Sequence, residues 1–196
     1  HTLPSFFRSK ESEGFLHAGR FGRVGCFSFY ANKCITTGEG GMAVTDDESL
    51  AQRIRIMSLH GLNNDAWKRF TKQGSWFYEI IAPGFKYNMT DVAAAIGIHQ
   101  LKRAEEFRVR RQIIAQRYTE KFRQINEIEP PPDDFVNRIH SWHLYSLRLN
   151  LDLLTIDRTI FIDKLKELGV SCSVHWMPLH LHQYYRQTFG LGEGLF

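Results

Sequence analysis

The chain has 196 residues, 43% of them hydrophobic and 23% charged, with a net charge of +4. That length carries one good core, split over two lobes at most, and basic residues interleaved with acidic ones give no block for nucleic acid to bind. No apolar run reaches the roughly 20 residues of a membrane span, no segment reads as a signal peptide, and three cysteines without a C-x-x-C pair, Cys26, Cys34 and Cys172, fit reduced thiols in a cytoplasmic protein.

Residues 1–24 read as irregular, with short apolar pieces between Gly, Ser and Arg. The aromatic, β-prone run VGCFSFY (24–30) predicts a buried strand and GGMAVT (40–45) a second one, so Lys33 falls in their connection. Thr45 and Glu48 have the spacing of a capping box, and Leu50, Ile54, Met57 and Leu59 predict a helix that Gly61 ends. Residues 60–84 read as a long loop with a short extended piece at 76–81. Thr90 predicts an N-cap for a helix over 91–101, whose small apolar VAAAIGI implies close packing in a core.

The helical pattern then runs to about residue 125 with a stripe of Phe107, Ile114, Tyr118 and Phe122, as one long helix or two abutting ones. Its arginine-rich part, 108–117, reads as a solvated or subunit-facing surface. Three prolines at 130–132 break the pattern. Beyond them, 141–150 alternates like a strand, 158–169 reads as an amphipathic helix ended by Gly169, and 170–176 as another strand. Such a strand–helix–strand set reads as a second, smaller lobe.

The chemistry centres on Lys33. Most lysines are solvated surface groups, but this one leaves an aromatic strand and precedes T-T-G-E-G-G, which lets the backbone bend close to a ligand. Ser28, five residues upstream, adds a hydroxyl that can bind an anion. An amine held in a partly dry pocket is a usable nucleophile towards an aldehyde, and pyridoxal 5'-phosphate is the common aldehyde cofactor. The spacing equally admits a glycine-rich loop that binds some other phosphate.

FSFYANKCITTGEGGMAVT (27–45) resembles the lysine segment of the DegT–StrS family of sugar-nucleotide aminotransferases, members of the aspartate-aminotransferase superfamily. The likeness continues through RIMSLHGLNNDAW, PGFKYNMTDVAAAIGIHQLKR and GVSCSVHWMPLHLHQYYR, in the family's order. It implies an α/β fold: the latter part of a three-layer α/β/α large domain over 1–103, then a linking helix and a small α+β domain over 104–196. Lys33 falls on the Schiff-base lysine, Ser28 on a phosphate-contacting serine, and His1 where the family has His or Gln beside the cofactor's ring oxygen.

In GFKYNMTD, where a neighbouring subunit normally sends an Asn to the cofactor phosphate, many relatives read N-Y-R and this chain K-Y-N. Asn88 is the expected donor and Lys86 the alternative. His180 and His175 fall on the loop near the sugar. Both also fit the plainer role of packed, hydrogen-bonded histidines. A zinc site from His175, His180 and His182 lacks a cysteine pair or carboxylate at a familiar spacing, and no metal is expected. Glu39, between Gly38 and Gly40, is open to two readings, a catalytic carboxylate or, foremost, a residue that fixes the loop.

The resemblance implies transfer of an amino group from an amino acid, glutamate foremost, to a keto group on a nucleotide-linked sugar for surface polysaccharide or a glycosylated metabolite. A ping-pong mechanism in a homodimer with shared sites is expected, without nucleic acid or membrane as partner. Family members are roughly twice this length. The chain is expected to begin just after the acid that pairs with the pyridine nitrogen, and to lack the early phosphate turn, the ring-stacking residue and the last small-domain segment. It thus reads as a fragment or part of a longer chain. A related dehydratase carries histidine in place of the lysine, which Lys33 argues against, and a non-catalytic regulatory or scaffolding remnant is the reading from another class.

Overall fold

The computed structural model describes residues 3–8, 14–63, 77–133 and 136–195. Seven short strands occur among them: β1 (Phe6–Phe7), β2 (Leu16–His17), β3 (Gly25–Ser28), β4 (Gly41–Val44), β5 (Ile128–Glu129), β6 (Arg138–Ile139) and β7 (Arg148–Leu149). Five α-helices accompany them: α1 (Glu48–Ser58), α2 (Asp91–Lys102), α3 (Ala104–Phe122), α4 (Arg158–Glu167) and α5 (Gln183–Phe189). Two compact units form, one from residues 1–125 and 130–147, the other from 126–129 and 148–196.

In the first unit β1 pairs antiparallel with β2 and β6, inside a stretch that reads as irregular in sequence. The predicted pair of strands forms as β3 and β4, antiparallel, with Cys26 opposite Ala43 and Phe27 opposite Met42, but the burial expected of the first is corrected: Gly25, Phe27 and Ser28 are half-buried and Cys26 is exposed. The core lies under this hairpin: Phe29, Ile35 and Ala104 are buried, with Leu3, Phe27, Met89 and Phe107 packed against them.

The cap of α1 sits two residues later than the capping box predicts. The Leu50 N–H donates to Asp47 Oδ1 at 3.1 Å. Thr45 is occupied elsewhere, because its hydroxyl donates to the Arg23 carbonyl at 2.6 Å and tethers the end of β4 to a residue just before β3. Hydrogen bonds from the Ser49 hydroxyl and the Leu50 N–H, with Arg23 alongside, lower the Asp47 pKa to about 2. Beyond α1, Leu59 bridges Lys86 and Leu62 bridges Ile80, so the extended piece expected at 76–81 reduces to a single bridge where it is described. Residues 64–76 of that expected loop lie outside the described residues.

Thr90 caps α2 as predicted, its Oγ1 accepting from the Ala93 N–H at 3.3 Å. Replacing Thr90 by alanine should cost about 1 kcal/mol, read as a lower urea midpoint, and serine at that position should restore it. The core placement of VAAAIGI is corrected. Only a narrow face of α2, containing Ala93, Ala94, Gly97 and Gln100, is half-buried, whereas Val92 is 74% and Ile98 56% exposed. Of the two readings for the long helical pattern, two abutting helices is the one found. Arg103, at φ −100° and ψ 0°, closes α2 and opens α3.

In the second unit β5 and β7 pair antiparallel. Of the strand predicted over 141–150 only Arg148–Leu149 forms. Trp142 has a left-handed φ of 50°, which an extended run cannot contain. The Asp157 side chain caps α4, and Gly169 at φ 80° follows its end. The strand predicted over 170–176 does not form: the segment is exposed, and no strand among the described residues lies beside it to complete a ladder. No helix among the described residues is long and apolar enough to cross a membrane.

Candidate active site

The connection between β3 and β4 is built by its own backbone and hydroxyl bonds. The Phe29 N–H donates to the Gly40 carbonyl at 2.8 Å, the Thr37 N–H to the Phe29 carbonyl at 2.9 Å and the Lys33 N–H to the Tyr30 carbonyl at 3.0 Å. Thr36 Oγ1 donates to the Phe29 carbonyl at 3.1 Å and accepts from the Gly38 N–H at 2.9 Å. The Thr37 hydroxyl donates to the Glu39 carbonyl at 2.7 Å. Glu39 therefore enters the loop's bonding through its backbone. Gly40 has no substitute, since a Cβ there would stand 2.4 Å from Thr37 Oγ1.

The helix beneath locks this loop. The Thr36 N–H donates to Gln100 Oε1 at 3.3 Å, and α2 passes so close that a Cβ on Gly97 would lie 3.0 Å from the Thr37 methyl group. Cys34, Ile35 and Thr37 are buried while Lys33 beside them is half-buried. The loop thus buries the residues that follow Lys33 and leaves its amine partly open. That amine has no hydrogen-bond partner among the described residues. It opens into a cleft of about 330 Å³ that Cys34, Gln100, Phe107, Arg110, Arg111 and Ile114 also line. A second cavity of about 430 Å³, lined by Phe27, Phe29, Ile35, Met42 and Leu101 among others, does not include Lys33 and is apolar in character. A free amine is the group with chemistry to offer, so the Lys33 cleft is the candidate site.

The remaining predicted residues fall as follows. Ser28 ends β3 and is half-buried, its Oγ accepting from the Tyr30 N–H at 3.4 Å, with its own proton left to donate. Lys86 and Asn88 are bonded to each other, the ammonium donating to Asn88 Oδ1. That leaves the Asn88 amide nitrogen to donate outward, so both residues present donors and neither an acceptor. His175 and His180 belong to the second unit, His175 exposed with its ring 4.2 Å from that of Trp176, His180 half-buried in the 3-10 turn Leu179–Leu181. His1 lies outside the described residues.

Sequence reasoning missed Gln100, Arg110 and Arg111. Gln100 has no local signature for its bond to the loop. For the arginines a partial signal existed: Phe107, Arg110, Arg111 and Ile114 are spaced to share one face of a helix.

The model of the DegT/DnrJ/EryC1/StrS aminotransferase family matches residues 11–195. An uncharacterized protein of Methanocaldococcus jannaschii is 50% identical over 197 residues, covering 100% of this chain and 49% of that protein. The spore coat polysaccharide biosynthesis protein SpsC of Bacillus subtilis is 46% identical, over 91% of this chain and 46% of its own length. The chain spans about half the length of the curated relatives it matches. Among solved structures, Spr1654 of Streptococcus pneumoniae, assigned as a sugar aminotransferase and captured in its PLP form, superposes with a TM-score of 0.79 at 32% identity, over 95% of this chain and 45% of that one. PseC of Helicobacter pylori, an aminotransferase of pseudoaminic acid biosynthesis, gives a TM-score of 0.78 at 25% identity, over 95% and 46%.

Proposed function

Because the chain belongs to the DegT/DnrJ/EryC1/StrS aminotransferase family, we propose that it serves transfer of an amino group from an amino acid, glutamate foremost, to a keto group of a nucleotide-linked sugar. The fold is that of the pyridoxal-phosphate-dependent aminotransferases of fold type I. The observation that carries the reading is the amine of Lys33, unpartnered among the described residues and opening into a cleft beside the buried Cys34 and Ile35.

By chemical type the residues fit pyridoxal 5'-phosphate: an amine for its aldehyde at Lys33, and hydroxyl, amide and ammonium donors for its phosphate at Ser28, Asn88 and Lys86, which lie outside the lining of the Lys33 cleft. When bound, the cofactor supplies an electron sink for the carbon that gains or loses nitrogen. The chain's own residues do the rest. Lys33 Nζ would hold the cofactor's aldehyde end and, as a free amine, would hold and move a proton at the reacting carbon. Its flexible stem allows that movement while the loop backbone stays fixed. Asn88, with Lys86 on its carbonyl oxygen, aims its amide nitrogen away from Lys86, as a donor to a phosphate across a subunit boundary would. By the family resemblance His1 would serve the cofactor's ring oxygen, and His180 and His175 the sugar.

Amino acid and sugar would occupy the site in turn, in a ping-pong sequence, in a cytoplasmic homodimer with shared sites. The product would enter polysaccharide biosynthesis, as the name of the Bacillus subtilis relative indicates for that protein.

The test takes the longest natural form of the chain, adds pyridoxal phosphate, reduces with borohydride and maps the modified peptide by mass. A pyridoxyl group on Lys33 is expected. An unmodified Lys33 there would overturn the enzyme reading and leave the non-catalytic remnant.

A further inference from the structure

We propose that Arg110 and Arg111 form an oxyanion subsite beside Lys33, one that grips the carboxylate or diphosphate of a substrate while its reacting carbon lies at the amine. This rests on the function proposed above and adds to it a binding role for a face of α3 that reads in sequence as solvated or subunit-facing surface.

Helical spacing puts Phe107, Arg110, Arg111 and Ile114 on the side of α3 that meets the Lys33 loop. All four line the cleft of about 330 Å³ together with Lys33 and Gln100. The cleft therefore holds three cations and no carboxylate. Such an arrangement presents positive potential to whatever enters the cleft, which favours an anion.

The acids of the same helix do not neutralise it. Both oxygens of Glu106 accept from Arg103, its Nε at 3.1 Å and Nη2 at 3.3 Å. Glu105 is taken by Arg108, at 2.6 Å from Nη2. Arg110 feels Glu106 through space but makes no hydrogen bond among the described residues. Arg111 uses Nη1 on the Trp142 carbonyl at 3.3 Å, which orients its guanidinium and leaves its other N–H groups to the cleft. Gln100 is oriented likewise: its Oε1 accepts from Thr36, so its amide nitrogen remains a donor. One tethered guanidinium, one free guanidinium, an amide nitrogen and an amine thus surround one space, and all of them donate. Oxygen anions suit that set, and a guanidinium fork matches carboxylate and phosphate geometry in particular.

Calorimetric titration of the longest natural form, loaded with pyridoxal phosphate, tests this with two probes: 2-oxoglutarate for the carboxylate source and uridine diphosphate for the diphosphate source. Arg110→Gln should weaken one of the two by about tenfold or more, the loss expected of one charge-assisted contact. Arg110→Lys, which keeps the charge and loses the fork, should fall between. The probe that responds identifies the source. Arg111→Gln should act on the same probe, and Arg110→Gln decides the outcome if loss of the Trp142 contact unfolds the Arg111 variant.

Equal affinities in wild type and Arg110→Gln for both probes would overturn the subsite, as would a wild type that binds neither. Borohydride labelling of Lys33 in the same samples separates the two ideas. Labelling with no arginine effect removes the subsite and keeps the enzyme. An arginine effect without labelling keeps the subsite and removes the Lys33 chemistry.

Discussion

Replacing Lys33 by alanine in the longest natural form of the chain should abolish amino transfer, measured as glutamate-dependent amination of a keto sugar nucleotide, with a loss of at least about 10²–10⁴-fold. That range is what a positioned proton-transfer group alone contributes, and Lys33 is proposed to act as covalent anchor as well. The variant should fold normally. Its amine has no partner to lose among the described residues, and the loop is closed by backbone and threonine bonds that the substitution leaves intact. Lys33→Arg separates charge from chemistry: a guanidinium keeps the cation but is not a usable nucleophile or proton carrier at neutral pH, so it should be as inactive as alanine. Activity retained in either variant would remove Lys33 from the reaction.

The largest effect on stability is expected at Gly61. It sits at φ +71°, and a Cβ built there would lie 1.7 Å from the Ala82 carbonyl oxygen and 2.7 Å from the carbonyl carbon. The obstacle is main chain, so no rotamer change can make room. Its own N–H donates to the Ile56 carbonyl at 3.0 Å and its carbonyl accepts from the Ile81 N–H at 2.9 Å, so the residue cannot back away without breaking both bonds. Gly61→Ala combines a left-handed backbone penalty with a backbone clash, and about 2–4 kcal/mol should be lost, within the range of severe single substitutions. Urea unfolding reads it as a lower midpoint with unchanged slope. The neighbouring bridges, Leu59 with Lys86 and Leu62 with Ile80, should loosen with it. Because Lys86 and Asn88 are carried on that segment, cofactor affinity should fall even though Gly61 touches none of the proposed donors.

What the sequence made legible follows the range of the forces involved. The β3–β4 hairpin, the position of Lys33 between its strands, the Thr90 cap and the Gly169 stop are set by residues within a few positions of one another, and all are found. Thr45 shows the limit of local rules. Its spacing to Glu48 is right for a cap, yet the Arg23 carbonyl takes its hydroxyl and Asp47 inherits the role. The expected strands at 141–150 and 170–176 have suitable alternation, but a strand needs a neighbour, and the ladder found at the first is two residues long. The exposed Val92, Ile96, Ile98 and Leu101 carry the same lesson in reverse, since their apolar character does not place them in the core of this chain.

At the site, Lys33 and Ser28 were legible because a strand and a glycine-rich turn frame them. Gln100 and Arg111 were not, because each acts through a bond to a residue far away in sequence, Thr36 and Trp142.

The break at Arg103 has a consequence for how a change in one helix reaches the other. A continuous helix would turn Gln100 and Arg111 as one rigid rod, so a twist that improved one would displace the other. With ψ at 0° Arg103 acts as an offset joint that gives the two segments different azimuths. The α2 segment is clamped to the loop by Thr36 and Gly97, while α3 is held through Arg111 at Trp142. Closing this joint by restoring helical torsions at 103 should rotate the arginine face away from Lys33 without disturbing the lysine itself.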